Sequence, residues 1–274
     1  VPEWSSPMAP TVEERDTGLL NDQHLTQAIQ CLHDNGYVIL EAVLPAPLVN
    51  SLNHDTHRVL DATHQGSKEE LVRARGHGGT PSPMRMPFLD PRIIENPMIF
   101  QVLERVLGKY FFGSLPYGCN TAFPGSQAQN VHRDCGHLFP DLQIATPPVL
   151  IVANIALDDF TADNGATEIW PGSHHALQDE EAEIDTLKVR PERLADRPSL
   201  RTEMPAGSIV LRDMRTWHRG MPNLTDSPRT MLSLVYYRKY YLPDGLSLPL
   251  PPLSDEVWEQ LSIQAKWTYR LRRG

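Results

Sequence analysis

Apolar residues in the first third of the chain recur at helical spacing, whereas in the second half they gather into short unbroken runs. Leu25, Ala28, Ile29 and Leu32 fall at i, i+3, i+4 and i+7, a pattern that lines one face of a helix. Asn21 or Asp22 is placed to cap its start and Gly36 to end it. A strand is expected directly afterwards, over 37–40. Val49, Leu52, Val59 and Leu60 indicate a second, less regular helix after Pro47. The segment ENPMIFQVLERVLG is the clearest helix of all. It has Asn96 as cap, Pro97 in the first turn, a buried face of Ile99, Val102, Leu103, Val106 and Leu107, and Gly108 at its end.

Past residue 110 the runs 149–157, 166–170, 207–213 and 230–241 are rich in β-branched and aromatic residues and are bounded by turn-forming residues. Their length reads as strands, and no long helix separates them, so antiparallel pairing is expected rather than βαβ units. The fold class that follows is mainly β with N-terminal and flanking helices, and the β body is of the jelly-roll kind. One domain is expected from residue 21 onward: a helical part over 21–110, the β core over about 111–242, and a C-terminal extension over 243–274. Residues 1–20, polar and proline-containing, read as a disordered lead-in. The Gly- and Pro-rich stretch 76–87 reads as a loop, and the acidic stretch 179–185 as part of a surface excursion between strands.

Composition narrows the function. Apolar residues make up 40% of the 274 and charged ones 22%, the balance of a soluble globular protein, and no apolar run approaches the roughly 20 residues of a membrane span. The N-terminus shows no basic region followed by an apolar stretch, so no secretory signal is expected. Three cysteines without a CxxC spacing argue against a disulfide scaffold or zinc knuckle and make a reducing cytoplasm the default. A formal charge of −9 argues against nucleic-acid binding. The only basic cluster is RLRR at 270–273. The same balance disfavours polyanionic ligands such as acyl-CoA thioesters and points to cationic or neutral metabolites.

Chemistry concentrates in NVHRDCGH, residues 130–137. Metal binding, a nucleophile with its base, and a plain polar loop are all open readings of that stretch. Along a strand, residues i and i+2 share a face, so His132 and Asp134 can converge on one point, and an imidazole with a carboxylate suits a borderline divalent metal. A single HxD among eleven histidines is weak by itself. A second piece strengthens it: RTWHRGMPNLTDSPR places His218 just past the run 207–213, with a turn before Arg229 opens the next strand. A hairpin there would set Arg229 beside His218. Two histidines and one carboxylate leave iron positions open, and a guanidinium fork is the natural holder of the far carboxylate of a chelating 2-oxo acid.

HRD at 132–134, DNGATEIWPGSHH at 163–175 and WHRGMPNLTDSPR at 217–229, in that order, resemble the phytanoyl-CoA dioxygenase (PhyH)-like family of Fe(II)/2-oxoglutarate-dependent oxygenases. The resemblance spans roughly residues 20–242 and is closer to antibiotic- and natural-product-tailoring members than to those acting on acyl-CoA. It implies a double-stranded β-helix with iron at its open end, held by His132, Asp134 and His218. It further implies 2-oxoglutarate with its C5 carboxylate on Arg229 and its C1 carboxylate near Gln129. O2 would be consumed, succinate and CO2 released, and a C–H bond of a small-molecule substrate oxidised, with ascorbate as the reductant in vitro. Related halogenases lack the carboxylate ligand, so Asp134 favours hydroxylation, with desaturation, cyclisation and alcohol oxidation left open.

Around this set, His137, Glu168 and Trp170 are candidate substrate contacts. Cys135 reads as a small packing residue, His174 as structural, and Asn164–Gly165 as a tight turn. Segments 76–87, the residues after 137, and 178–201 are candidate lids. Two competing readings are a catalytically silent metal- or ligand-binding jelly roll and a zinc hydrolase using the same three ligands. The second leaves Arg229 without a purpose.

Overall fold

The computed structural model describes residues 7–64, 75–139, 142, 144–177, 187–242 and 252–274. Two antiparallel sheets face each other with a helical layer behind the larger one. The first half supplies α1 (Val12–Thr17), α2 (Asp22–Asn35), β1 (Tyr37–Leu40), α3 (Ala46–His64), β2 (His77–Pro81), α4 (Pro91–Ile94) and α5 (Pro97–Val106). The β body follows with β3 (Phe112–Gly113), β4 (Gly118–Ala122), β5 (Leu150–Ala156), β6 (Glu168–Ile169), β7 (Leu200–Arg201), β8 (Ile209–Asp213), β9 (His218–Arg219) and β10 (Arg229–Tyr237). Helices α6 (Asp255–Gln260) and α7 (Ile263–Thr268) close the chain. The large sheet runs β1-β8-β5-β10-β4-β2, with β3 also on β10, and the small one runs β7-β6-β9. This is the jelly roll expected.

Side-chain alternation on β10 explains how one sheet serves two layers. Leu232, Leu234 and Tyr236 point into the main core, where Leu32, Leu52, Ile99 and Leu103 from the helices meet them. Met231, Ser233 and Val235 point the other way and line the cavity between the sheets. Period 2 makes this unavoidable once the register is set.

Helices α2 and α5 form where the sequence places them. Asn21 and Asn96 each accept a backbone N–H, from His24 and Ile99 respectively, a cap that contributes about 1 kcal/mol. Two other expectations fail. From residue 7 the lead-in is folded: Thr11 and Glu14 form a reciprocal capping box on α1, and Met8 bridges to Leu40 beside β1. Glu14 is buried but keeps its charge company, accepting from Asn21 N (2.8 Å) and His24 Nδ1 (2.8 Å). The TVEE box was legible; the prolines around it obscured it. Residues 1–6 lie outside the described set.

The second failure is 76–87, which is not a loop throughout. Residues 77–81 form strand β2 along β4. Glycine permits the pairing, since a Cβ on Gly79 would stand 2.6 Å from the Cys119 carbonyl oxygen. The acidic stretch 179–185, with the 178–186 part of the candidate lid 178–201, lies outside the described residues. Within the rest, Pro191–Leu194 is a 3-10 turn and Leu200–Arg201 is β7. No helix among the described residues is long and apolar enough to cross a membrane.

Candidate active site

His132 and His218 are brought together by the backbone. The N–H of each donates to the carbonyl of the other, at 3.0 and 2.9 Å, which makes them directly opposed partners of an antiparallel bridge. Their ring centroids lie 4.3 Å apart. The HxD segment is therefore held as a strand of the small sheet is held, with Arg133 N bonded to Leu187 O and Asp134 N to Met214 O (both 2.8 Å). On the other side, Trp217 is fully buried and its backbone N–H donates to Ser173 Oγ at 2.8 Å, which anchors the residue before His218. The PGSH turn supplies that serine, and His174 donates from Nε2 to His33 O at 2.9 Å, the structural role expected of it.

The three candidate ligands converge. Ligand atoms of His132, Asp134 and His218 all lie within 4.8 Å of one another, and no other such cluster exists among the described residues. His132 Nδ1 bonds to Asn130 O (3.0 Å) and His218 Nδ1 to Thr216 O (3.1 Å). Each carbonyl fixes the tautomer, leaving Nε2 with the lone pair a metal needs. Those Nε2 atoms stand 3.8 and 3.7 Å from the Asp134 oxygens. Burial, reinforced by the nearby Arg212, pushes His218 down to about 3, so its imidazole is neutral. Burial acts to raise Asp134, but the charge of Arg212 and the hydrogen bond it donates outweigh it and hold the carboxyl well below the usual range. A neutral imidazole at His218 and an ionised carboxylate at Asp134 are protonation states that bind a divalent metal.

A cavity of about 440 Å³ opens from this triad between the sheets. Arg229 lies in its wall, only 3% exposed. Its Nη2 donates to Gly165 O at 2.7 Å, the carbonyl of the Asn164–Gly165 turn, and its Cζ lies 4.3 Å from the centroid of the Phe160 ring. Its Nε has no hydrogen-bond partner. A buried guanidinium with an idle donor is costly unless an anion meets it, and the cost shows as a pKa pushed down by burial to about 10. The route by which Arg229 reaches the cavity differs from the expected hairpin. His218 belongs to the small sheet through β6, while Arg229 pairs with Ala122 in the large one. The loop between them crosses from one sheet to the other, and both residues face the shared interior.

Gln129 also lines the cavity. Its Oε1 accepts from Gly220 N at 2.9 Å, and the two backbones pair again through Gln129 N and Gly220 O, so the amide NH2 is left as the donor. Gly220 has to be glycine: a Cβ there would lie 2.6 Å from His77 and 2.9 Å from Gln129 Oε1.

Three candidate substrate residues are corrected. Thr167 and Ile169 face the cavity, so by alternation Glu168 and Trp170 face outward. Glu168 pairs with Arg219 (2.6 Å) and accepts from Ser199 (2.7 Å), and Trp170 packs with Val131 and Trp217 outside the cavity lining. His137 is buried and spends Nε2 on Ala176 O at 2.9 Å; it does not line the cavity either. Cys135 is set aside too, since burial pushes its thiol up to about 12. Of the ionisable residues lining the cavity, two went unrecognised in the sequence, His77 and Arg212. Each had a signal: His77 sat in a stretch read as loop, and Arg212 is a charge inside the apolar run 207–213.

The sequence pattern of the phytanoyl-CoA dioxygenase (PhyH) family matches residues 32–231. The chain belongs to that family. Among similar proteins, the dioxygenase aneA of Aspergillus aculeatus is 29% identical over 255 residues, covering 84% of this chain and 80% of that protein. The iron/alpha-ketoglutarate-dependent dioxygenase ausO of Aspergillus calidoustus is 28% identical over 233 residues, covering 80% and 74%. In fold, the chain is similar to the epimerase SnoN, solved with Fe3+, alpha ketoglutarate and nogalamycin RO. The TM-score is 0.63 at 22% identity, covering 84% of this chain and 94% of that one. The carbocyclase SnoK of nogalamycin biosynthesis matches with a TM-score of 0.54 at 21% identity, over 90% and 97%.

Proposed function

We propose that this PhyH protein is a non-haem Fe(II)- and 2-oxoglutarate-dependent dioxygenase that oxidises a C–H bond of a small natural-product-like substrate. His132, Asp134 and His218 hold the metal, Arg229 pairs the C5 carboxylate of 2-oxoglutarate, and Gln129 donates to its C1 carboxylate. The observation that carries the reading is the pairing of a ligand-ready triad with a buried guanidinium whose Nε lacks a partner in the same cavity. A triad alone would suit several metals and several reactions; the second feature asks for a dianion that spans from metal to arginine.

Bound iron supplies the oxidising chemistry, coupling conversion of 2-oxoglutarate and O2 to succinate and CO2 with attack on the substrate C–H bond. This chain supplies the rest. The carbonyls of Asn130 and Thr216 keep both imidazoles pointed inward. Arg212 grips Asp134 Oδ2 at 2.6 Å, which fixes the carboxylate's orientation. Met204, Met231, Val152 and Val235 present apolar walls that exclude water from the reacting centre. The relatives aneA and ausO are named as dioxygenases, and SnoN was solved with a natural product. These names support the substrate class for this chain, which we place in the cytoplasm.

The test is succinate release from 2-oxoglutarate by purified protein with Fe(II), ascorbate and O2. Slow release without the prime substrate is expected, rising when a substrate is found in a screen of terpenoids, amino sugars, peptides and acyl-CoAs. Absence of succinate from the wild type under every substrate, with iron bound, would favour a catalytically silent binding protein.

A further inference from the structure

The cavity holds a second buried guanidinium that the reaction as described does not use up. Arg212, in β8, is 6% exposed and lines the same cavity as the triad. Its Nη2 is committed to Asp134, and its Nη1 is buried without a partner. Register places it away from Arg229. It stands opposite Val152, which stands opposite Val235 near the end of β10, whereas Arg229 opens β10 at the other end. Six residues at roughly 3.3 Å each separate those two positions along the strand. A five-carbon diacid reaching from the metal to Arg229 therefore leaves Arg212 at the metal end.

Charge makes the same point. Asp134 is the one carboxylate among the described residues lining the cavity, against two guanidinium groups, Arg212 and Arg229. A divalent metal and dianionic 2-oxoglutarate cancel each other, so the described lining of the loaded site keeps one positive charge in surroundings of low dielectric, where charges are felt most strongly. Around Arg212 the walls are apolar: Val210 and Met214 flank it on its own face, with Val152 across.

We propose that Arg212 makes the metal end of the cavity an anion-accepting subsite, so that the substrate is an apolar body presenting a carboxylate or an acidic enol or phenol there, and cationic amines are rejected. This rests on the dioxygenase reading above and reverses the hint of the net charge of −9, which is spread over the surface while the cavity is locally positive.

The experiment loads the protein anaerobically with Co(II), a redox-inert stand-in, and 2-oxoglutarate. Cyclohexanecarboxylate, its carboxamide and cyclohexylamine are then titrated, reading the heat of binding and the Co(II) visible spectrum. In the wild type the carboxylate is expected to bind at least tenfold more tightly than the amine, with the amide between. Arg212→Gln is expected to lose that preference and Arg212→Lys to retain most of it, with the carboxylate-to-amine affinity ratio read on protein saturated with Co(II) and 2-oxoglutarate, so that weaker metal or 2-oxoglutarate binding through Asp134 does not enter the ratio. Equal binding of carboxylate and amine by the wild type overturns the inference even if no variant folds. So does an unchanged preference in Arg212→Gln, or no carboxylate binding at all. A wild type that takes up neither Co(II) nor 2-oxoglutarate sinks the functional reading itself, and this inference with it.

Discussion

The two sheets divide the work of the molecule unequally. In the large sheet, β5, β8 and β10 contribute seven, five and nine residues, paired in long continuous register and packed against helices on one face. In the small sheet, β6, β7 and β9 contribute two residues each. Yet the small sheet and its bridge to residue 132 hold both candidate histidine ligands, while the large sheet supplies the two arginines. Long strands can be specified by burial alone. Short strands at a cavity mouth are held by individual hydrogen bonds and by anchors such as Trp217, and there the chain can spend residues on chemistry without losing its core.

That contrast can be broken by substitution. The largest effect is expected from His218→Ala in β9. Metal-dependent succinate release should fall to background while the unfolding free energy of the metal-free protein changes by no more than about 1 kcal/mol; a large loss of stability in a denaturant titration would mean that the small sheet is structural after all. Leu232→Ala in β10, fully buried, should do the reverse. It should cost about 2–5 kcal/mol while the remaining folded protein binds 2-oxoglutarate as before.

Arg229→Lys sharpens the distinction further, since it keeps the charge and the fold but replaces a fork with a point charge. Calorimetry should show 2-oxoglutarate binding weakened by about 1.5–3 kcal/mol with metal affinity unaltered. The smallest effect is expected at the outward-facing pair. Glu168→Ala removes the partly exposed bridge to Arg219, and should change stability by about 0–1 kcal/mol and leave turnover untouched. A marked fall in activity would mean that Glu168 reaches substrate after all.

The same contrast explains what could be read in advance. Helices α2 and α5 and the strands β5, β8 and β10 announce themselves because periodicity, caps and apolar runs agree with one another. His132, Asp134, His218 and Arg229 stand out as a candidate set because three motifs occur in order, although the spacing alone suggested a hairpin that the crossing loop does not make. The small sheet defeats a reading by period: in a two-residue strand nothing distinguishes the inward face from the outward one, and the candidates Glu168 and Trp170 fall outside the cavity lining. Strand β2 was hidden by glycines that serve close approach, and α1 by neighbouring prolines. Arg212 was visible as a charge in an apolar run, but its meaning depends on Asp134, 78 residues away in sequence.

Metal and 2-oxoglutarate are proposed to share one site made by the triad and Arg229. Anaerobic calorimetric titration of 2-oxoglutarate into the protein, with and without Fe(II), addresses it most directly. One 2-oxoglutarate should bind per chain in the presence of Fe(II), with affinity that collapses when the metal is omitted, and Arg229→Ala should abolish the binding. Failure of the Fe(II)-loaded wild type to bind 2-oxoglutarate, or binding that depends on neither the metal nor Arg229, would contradict it.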